Sequence, residues 1–257
     1  LVQEGTLSRR RGAGTFVNLA LIEKLGAARV WTGQGGSQRD LLLEQVYAQL
    51  RQVALPDARH HWDFSLFFPD FAGSTACVER LCQTEAWRSA QVVFIAPDNS
   101  LTAMRQRALE EGRTVIVPTA GIVRGFRIFR PQSVPPGQEP LSAVLDGMER
   151  HSAPISLEEL GSLTIDLMIS GMLVITPAGM RWGHGYGYFD LEWGILRLLG
   201  AISENTPVMV IGHDCQVLDL QDGQSSSSSD ALADWIFTPT SSLHTRRTLP
   251  QPAGVIW

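Results

Sequence analysis

Residues 92–119, VVFIAPDNSLTAMRQRALEEGRTVIVPT, decide the fold. Val92 to Pro97 is a short apolar run with the length and β-branched content of a buried strand, and Thr114 to Thr119 is a second. Between them, Leu101 to Glu111 carries Met104, Ala108 and Leu109 at helical spacing, and Gly112 supplies a stop. Strand, helix and strand in such close succession mark a sheet with helices on its faces.

The same alternation continues outward. Ile165 to Thr176 is apolar enough for one or two central strands, Tyr188 to Gly200 reads as a helix, and Pro207 to His213 and Trp235 to Thr240 complete the strands. Residues 120–164 are rich in loops, with Pro131, Pro135, Pro136 and Pro140, and hold one helix between Leu141 and His151. Upstream, Asp40 to Leu50 sets Leu41, Leu42, Val46 and Leu50 on one side of a helix that Ser37 can cap. Ser225 to Ser229 is a solvated low-complexity loop. The expected class is α/β, a Rossmann-like, mostly parallel sheet with helices on both faces.

Composition narrows the function classes. The 257 residues are 44% hydrophobic and 18% charged, which suits one α/β domain with an ordinary core. A formal charge of −5 excludes a surface built throughout for nucleic acid. Cys77, Cys82 and Cys215 are too few and too scattered for a disulfide framework or a zinc knuckle. There is no apolar run of about 18 residues and no signal-like start, so the expectation is no membrane partner and a cytoplasmic location. The chain begins at Leu1 and is read as a fragment.

Arg181 to Asp190, RWGHGYGYFD, carries the chemistry. Glycines at 183, 185 and 187 free the backbone to turn its N–H groups toward one point, and the helix expected from Tyr188 adds its free amides and positive dipole end. Arg181 and His184 can add side-chain charge, and Asp190 can hold Mg²⁺ beside a nucleotide. The spacing is neither a Walker A loop nor GxGxxG, and a tight turn without a ligand is the alternative.

The loop resembles the hallmark R-x-G-[RK]-G-x-G-Y-[YF]-D of the 5-formyltetrahydrofolate cyclo-ligase family, through Arg181, Gly183, Gly185, Gly187, Tyr188, Phe189 and Asp190. It is more similar to the methenyltetrahydrofolate synthetase domain-containing branch. Asp190-Leu191-Glu192, His213 to Val217, Pro69 to Gly73, Asp98 with Leu101 and Arg105, Val117 to Thr119 and Thr238 to Thr240 carry that likeness. The resemblance implies a fold related to ribose-phosphate isomerase and CoA-transferase. It also implies ATP- and Mg²⁺-dependent closure of 5-formyltetrahydrofolate to 5,10-methenyltetrahydrofolate, with a folate-like molecule and a nucleotide as partners. Arg181, His184 and Asp190 are then the catalytic candidates and Asp190 the metal ligand. Gly183, His184, Gly185, Tyr186, Gly187, Tyr188 and Arg39 are the nucleotide candidates. Phe71, Tyr188, His213 and Asp214 are candidates for the substrate. Two departures stand out: His184 replaces the family's Lys or Arg, and Arg39 is the nearest cation to a missing N-terminal Lys.

Several of these residues have plainer alternatives. His213-Asp214 lies where open α/β sheets place ligands, but Asp214 and Gln216 could instead tie down a loop. Trp62, Phe64, Phe67, Phe68 and Phe71 could bound a flat pterin or form core. His60-His61 reads as solvent-facing, and Cys77 and Cys82 as buried helix thiols.

Residues 1–17 read as two strands around the basic turn Arg9 to Gly14 and resemble the wing of GntR-type winged-helix repressors. The expected division is a truncated winged-helix-like hairpin (1–17), a linker (18–36), a cyclo-ligase-like α/β domain (37–240) and a C-terminal tail (241–257). The alternative function is a non-catalytic ligand-sensing domain of a GntR-type transcription regulator, with DNA as a partner.

Overall fold

The computed structural model of the protein describes residues 7–10, 14–17, 38–56, 63–64, 67–183, 187–219, 230–247 and 249–254, and gives backbone only for 7–10, 14–17 and 38–40. His184, Gly185, Tyr186 and the side chain of Arg39 lie outside the described residues, as do Ser37, His60, His61, Trp62 and Ser225–Ser229.

The chain opens with β1 (Leu7–Arg10) and β2 (Gly14–Val17), paired antiparallel with Leu7 opposite Val17, which is the expected two-stranded pairing. Helix α1 (Gln38–Val53) follows, then α2 (Ser74–Cys82) and the short α3 (Glu85–Ser89). Next come β3 (Val92–Ile95), α4 (Thr102–Glu110), β4 (Thr114–Pro118) and β5 (Phe126–Phe129). Two short helices, α5 (Glu139–Ala143) and α6 (Met148–His151), stand where one was expected, because the chain turns extended at Val144 (φ −79°, ψ 150°) and α5 stops there. The series continues with β6 (Ala153–Ile155), α7 (Leu157–Gly161), β7 (Leu167–Ser170), β8 (Val174–Ile175), β9 (Arg181–Trp182) and α8 (Tyr188–Leu199). It ends with β10 (Val208–Ile211), β11 (Trp235–Phe237) and β12 (Ser242–His244).

Among the described residues, eight of these strands form one sheet in the order β12-β11-β10-β7-β3-β4-β5-β6. The neighbours from β11 to β4 are parallel, while β12 at one edge and β5 and β6 at the other run antiparallel. Every residue of β7 and β10 is buried, so both faces of the centre are covered, as parallel strands require. On one face Phe189 of α8 meets Phe94 of β3 edge to face at 6.1 Å. Helix α2 packs on β10, β11 and α4, and α4 on β4. The expected mostly parallel α/β sheet is what the chain forms.

Three details add to this. Ile165 to Thr176 gives the central strand β7, within the one or two expected, and also β8, which pairs with β9 in a separate two-stranded sheet. In α1 it is Leu43, Val46 and Leu50 that face inward, forming a second small core with Phe64, Phe67, Leu173 and Val174, and Leu41 is 58% exposed. Within residues 241–257, expected to be a tail, Ser242–His244 add β12 to the main sheet, and the buried Gln251 side chain exchanges hydrogen bonds with Leu232.

Candidate functional site

Strand order locates the site. From β3 the chain crosses to β4 on one side, whereas from β7 it crosses to β10 on the other, so the connections diverge between β3 and β7. In open α/β sheets a crevice forms outside the carboxyl ends of the strands at such a switch point. Here those ends carry Asp98 and Ser100 after β3, and Ser170 and Gly171 at the end of β7.

Asp98 bridges the switch point. Its Oδ2 accepts the Gly171 N–H at 2.8 Å. Gly171 is small of necessity, since a Cβ there would lie 2.8 Å from that oxygen and 2.9 Å from Ser100 Oγ. Burial pushes the Asp98 carboxyl above its ordinary range, opposed by the Gly171 N–H and by the charges of Arg105 and Arg181. Ser100 Oγ is buried with no hydrogen-bond partner among the described residues.

Arg181 is the hub on the other side. Its side chain, 7% exposed, donates from Nη2 to Asp190 Oδ1 at 3.2 Å and from Nε to the Ala231 carbonyl at 3.2 Å. Nη1 reaches Ser170 Oγ at 3.4 Å, and the guanidinium lies 4.1 Å over the Phe189 ring. Asp190 Oδ1 also accepts the Ala231 N–H at 2.9 Å. The Asp190 side chain keeps 19% exposure in the first turn of α8, where a carboxylate suits the positive end of the helix dipole.

Gly187 starts that helix in the left-handed region, at φ 64°, with no side chain to cap it. Gly183, at the end of β9, has Phe68 Cζ 3.8 Å from the place of its missing Cβ. The Tyr188 hydroxyl is 3.3 Å from where a Cβ on Gly121 would sit, so the ring lies against the loop between β4 and β5.

Glu192, one turn into α8, is 3% exposed. Burial raises its carboxyl well above the ordinary range, and the charges of Asp98 and Asp190 add to this while Arg181 opposes it. Phe189, Glu192, Trp193 and Leu196 follow the i, i+3, i+4, i+7 pattern of an inward face, so the lone acid on that stripe could have been read from sequence. The Ser170-Gly171 break in an apolar run was the other available signal.

His213 and Asp214 follow β10. The His213 Nδ1 accepts the Cys215 N–H at 3.2 Å, and its ring meets Phe71 edge to face at 5.6 Å. Burial pushes the Asp214 carboxyl up, but hydrogen bonds from Thr238 and Thr240, with His213 nearby, outweigh it and hold the group below its ordinary range. Gln216 donates to the Met172 and Leu173 carbonyls and accepts from the His213 N–H, so it ties the loops down. Phe71, Phe64 and Phe67 are buried; they are core rather than an open aromatic wall.

Among the described residues the structure brings Arg181, Asp190, Gly187 and Tyr188 to one end of the sheet, with Asp98 and Glu192 behind them. His213 and Asp214 stand at the carboxyl end of β10. No group of three or more potential metal ligands occurs among the described residues, and no helix there is long and apolar enough to cross a membrane.

The chain is 31% identical over 230 residues to the methenyltetrahydrofolate synthase domain-containing proteins of Bos taurus and Homo sapiens. The match takes in 87% of this chain and 58% and 57% of theirs, so the chain spans a little over half the length of these relatives. The Danio rerio protein of the same description is 28% identical over 74% of the chain and 49% of its own length. An NMR structure of Aquifex aeolicus 5,10-methenyltetrahydrofolate synthetase superposes with a TM-score of 0.49 and 16% identity, over 82% of this chain and 94% of that one. A family model matches residues 34–221, which contain both banks of the switch point and the whole glycine loop. The chain belongs to the 5-formyltetrahydrofolate cyclo-ligase family.

Proposed function

We propose that this chain is an ATP- and Mg²⁺-dependent cyclo-ligase that converts 5-formyltetrahydrofolate, or a related formylated heterocycle, to 5,10-methenyltetrahydrofolate. The observation that carries this reading is the start of α8. A left-handed Gly187 opens the helix beside the Arg181–Asp190 pair, at the carboxyl ends of the strands that flank the switch point.

The residues fit the groups they would hold. The N terminus of a helix favours a phosphate through its dipole, and Asp190 sits in the first turn of α8 with part of its carboxylate reachable. Asp190 would hold Mg²⁺, and Gly183, His184, Gly185, Tyr186, Gly187, Tyr188 and Arg39 would surround the nucleotide. ATP supplies the phosphoryl group that turns the formyl oxygen into a leaving group, and Mg²⁺ neutralises phosphate charge.

This chain's own residues then work by position and charge. Arg181 faces inward and holds Asp190 in place rather than reaching for the ligand. His213 Nδ1 accepts the Cys215 N–H, which leaves Nε2 to donate to a substrate acceptor. Asp214, kept ionised, would fix the loop beside it, and buried Phe71 would set the His213 ring angle. His184 would face the phosphates. The catalytic α/β domain would run from residue 37 through β12 to the segment holding Gln251, with 1–17 a separate hairpin and 18–36 a linker.

The test follows methenyltetrahydrofolate absorbance on mixing the protein with 5-formyltetrahydrofolate, ATP and Mg²⁺, with Gly185→Ala and Asp190→Ala as controls. Turnover in the parent and a loss of about 100-fold or more in both variants is expected. Nucleotide binding without turnover would sink the enzyme and favour a ligand-sensing domain, with DNA contact through residues 1–17 as its companion.

A further inference from the structure

Arg105, on α4, is only 1% exposed, yet a guanidinium does not shed its charge. Burying an ion is costly unless its donors are met, and here they are met by backbone. Nε donates to the Ala143 carbonyl at 2.7 Å, and Nη1 to those of Ala96 at 2.7 Å and Asp98 at 2.9 Å. Nη2 reaches Thr102 Oγ1 at 3.2 Å. Two of these acceptors lie on the segment leaving β3, and a third belongs to α5.

The same charge reaches two acids. It lowers the carboxyl of Asp98, which burial raises, and does the same for Asp70, whose Oδ1 accepts the Phe71 N–H at 2.9 Å ahead of α2. An apolar side chain of similar size would fill the space at lower cost. What the guanidinium adds is a fixed path for the loop that carries Asp98.

We propose that Arg105 is a positioning residue of the candidate site: by clamping the Ala96, Asp98 and Ala143 carbonyls it aims the Asp98 carboxylate across the switch point at the Gly171 N–H, and so fixes the crevice. The ligand, a formylated and anionic heterocycle, rests on the cyclo-ligase reading; the clamp does not. The Asp98 carboxyl faces Arg105 from α4, Arg181 from β9 and Glu192 from α8. Loss of Arg105 leaves one cation and one acid around it. Asp98 then keeps its proton to higher pH and is a weaker acceptor for Gly171.

The experiment compares full-length Arg105→Met and Arg105→Lys with the parent by NMR. It reads hydrogen exchange at the Gly171 amide and the pH titration of the Asp98 carboxyl carbon, with β10 and β11 amides as reference. Exchange at Gly171 about tenfold faster than the reference amides, with Asp98 titrating at higher pH, is expected in Arg105→Met. The milder Arg105→Lys decides if that variant does not fold. It keeps the charge but cannot span the carbonyls, so Gly171 exchange should still rise. Unchanged Gly171 exchange, or a loss of protection spread evenly over β10 and β11, would overturn the assignment. Calorimetry with ATP and 5-formyltetrahydrofolate separates the two claims. Parent binding that weakens about tenfold in Arg105→Lys supports the clamp's part in the site, and equal binding refutes it. If the parent binds neither compound, the cyclo-ligase reading fails while the NMR readouts still judge Arg105.

Discussion

Replacing Gly171 with Ala is the sharpest stability probe of the switch point. The added methyl would lie 2.8 Å from Asp98 Oδ2 and 2.9 Å from Ser100 Oγ, closer than Cβ atoms approach, and 3.1 Å from Asp98 Cγ. Something must move, and the Asp98 carboxylate, held there by the Gly171 N–H itself, is the group in the way. Overpacking costs about 1–3 kcal/mol. Weakening a hydrogen bond to a buried charge costs about 1.5–3 kcal/mol. The lower chain entropy of Ala in the unfolded state returns about 0.4–1 kcal/mol. The net loss should be about 1.5–5.5 kcal/mol, or a fall in Tm of roughly 3–22 °C for a chain of this size. Urea unfolding measures it. Gly112→Ala is the control: its φ is +69° but nothing lies within 4 Å, so only backbone strain of about 1–2 kcal/mol should appear. In an Asp98→Ala background the cost of Gly171→Ala should shrink by about 1 kcal/mol or more. A Gly171→Ala protein within about 0.5 kcal/mol of the parent, or no coupling to Asp98, would refute the reasoning.

Three further outcomes follow from the same geometry. Arg181→Met strands Asp190 without its ion pair inside the site and should cost about 3–5 kcal/mol in urea unfolding, whereas a purely ligand-facing arginine would cost little. Folding raises the Glu192 carboxyl well above 4.5, so the native state holds that proton more tightly than the unfolded chain. Its contribution is therefore greatest below pH 4.5 and is lost as pH rises through the folded value. Glu192→Gln should flatten that decline and be the more stable protein at alkaline pH; a parallel pair of stability curves would contradict it. Burial pushes the Cys77 thiol up to about 12 and those of Cys82 and Cys215 up to about 11. Native-state labelling by iodoacetamide at pH 8 should run at least about 100-fold slower than in urea.

The sheet was legible because its strands are short apolar runs bounded by turn residues, and the pattern from Val92 to Thr119 already contains a β3–α4–β4 unit. The start of α8 was legible too, for it falls where Gly187 and Tyr188 place it, while the loop from His184 to Tyr186 lies outside the described residues. What sequence did not yield is pairing. That Asp98 meets Gly171, 73 residues away, follows from β3 lying beside β7, which no local pattern encodes. The inward turn of Arg181 likewise depends on the Ala231 carbonyl, brought in by the segment before β11. The aromatic run near Phe64 to Phe71 left two readings open. Flat rings suit a pterin and a core equally, and only burial distinguishes them.

Ring closure driven by ATP at the switch-point end of the sheet is tested most directly by stoichiometry: methenyltetrahydrofolate formed against inorganic phosphate released, in the parent protein with ATP, Mg²⁺ and 5-formyltetrahydrofolate. The two should rise together in equal amounts, and both should stop when the folate is omitted. Phosphate release independent of the folate, or no methenyl product at any ATP concentration, would contradict it.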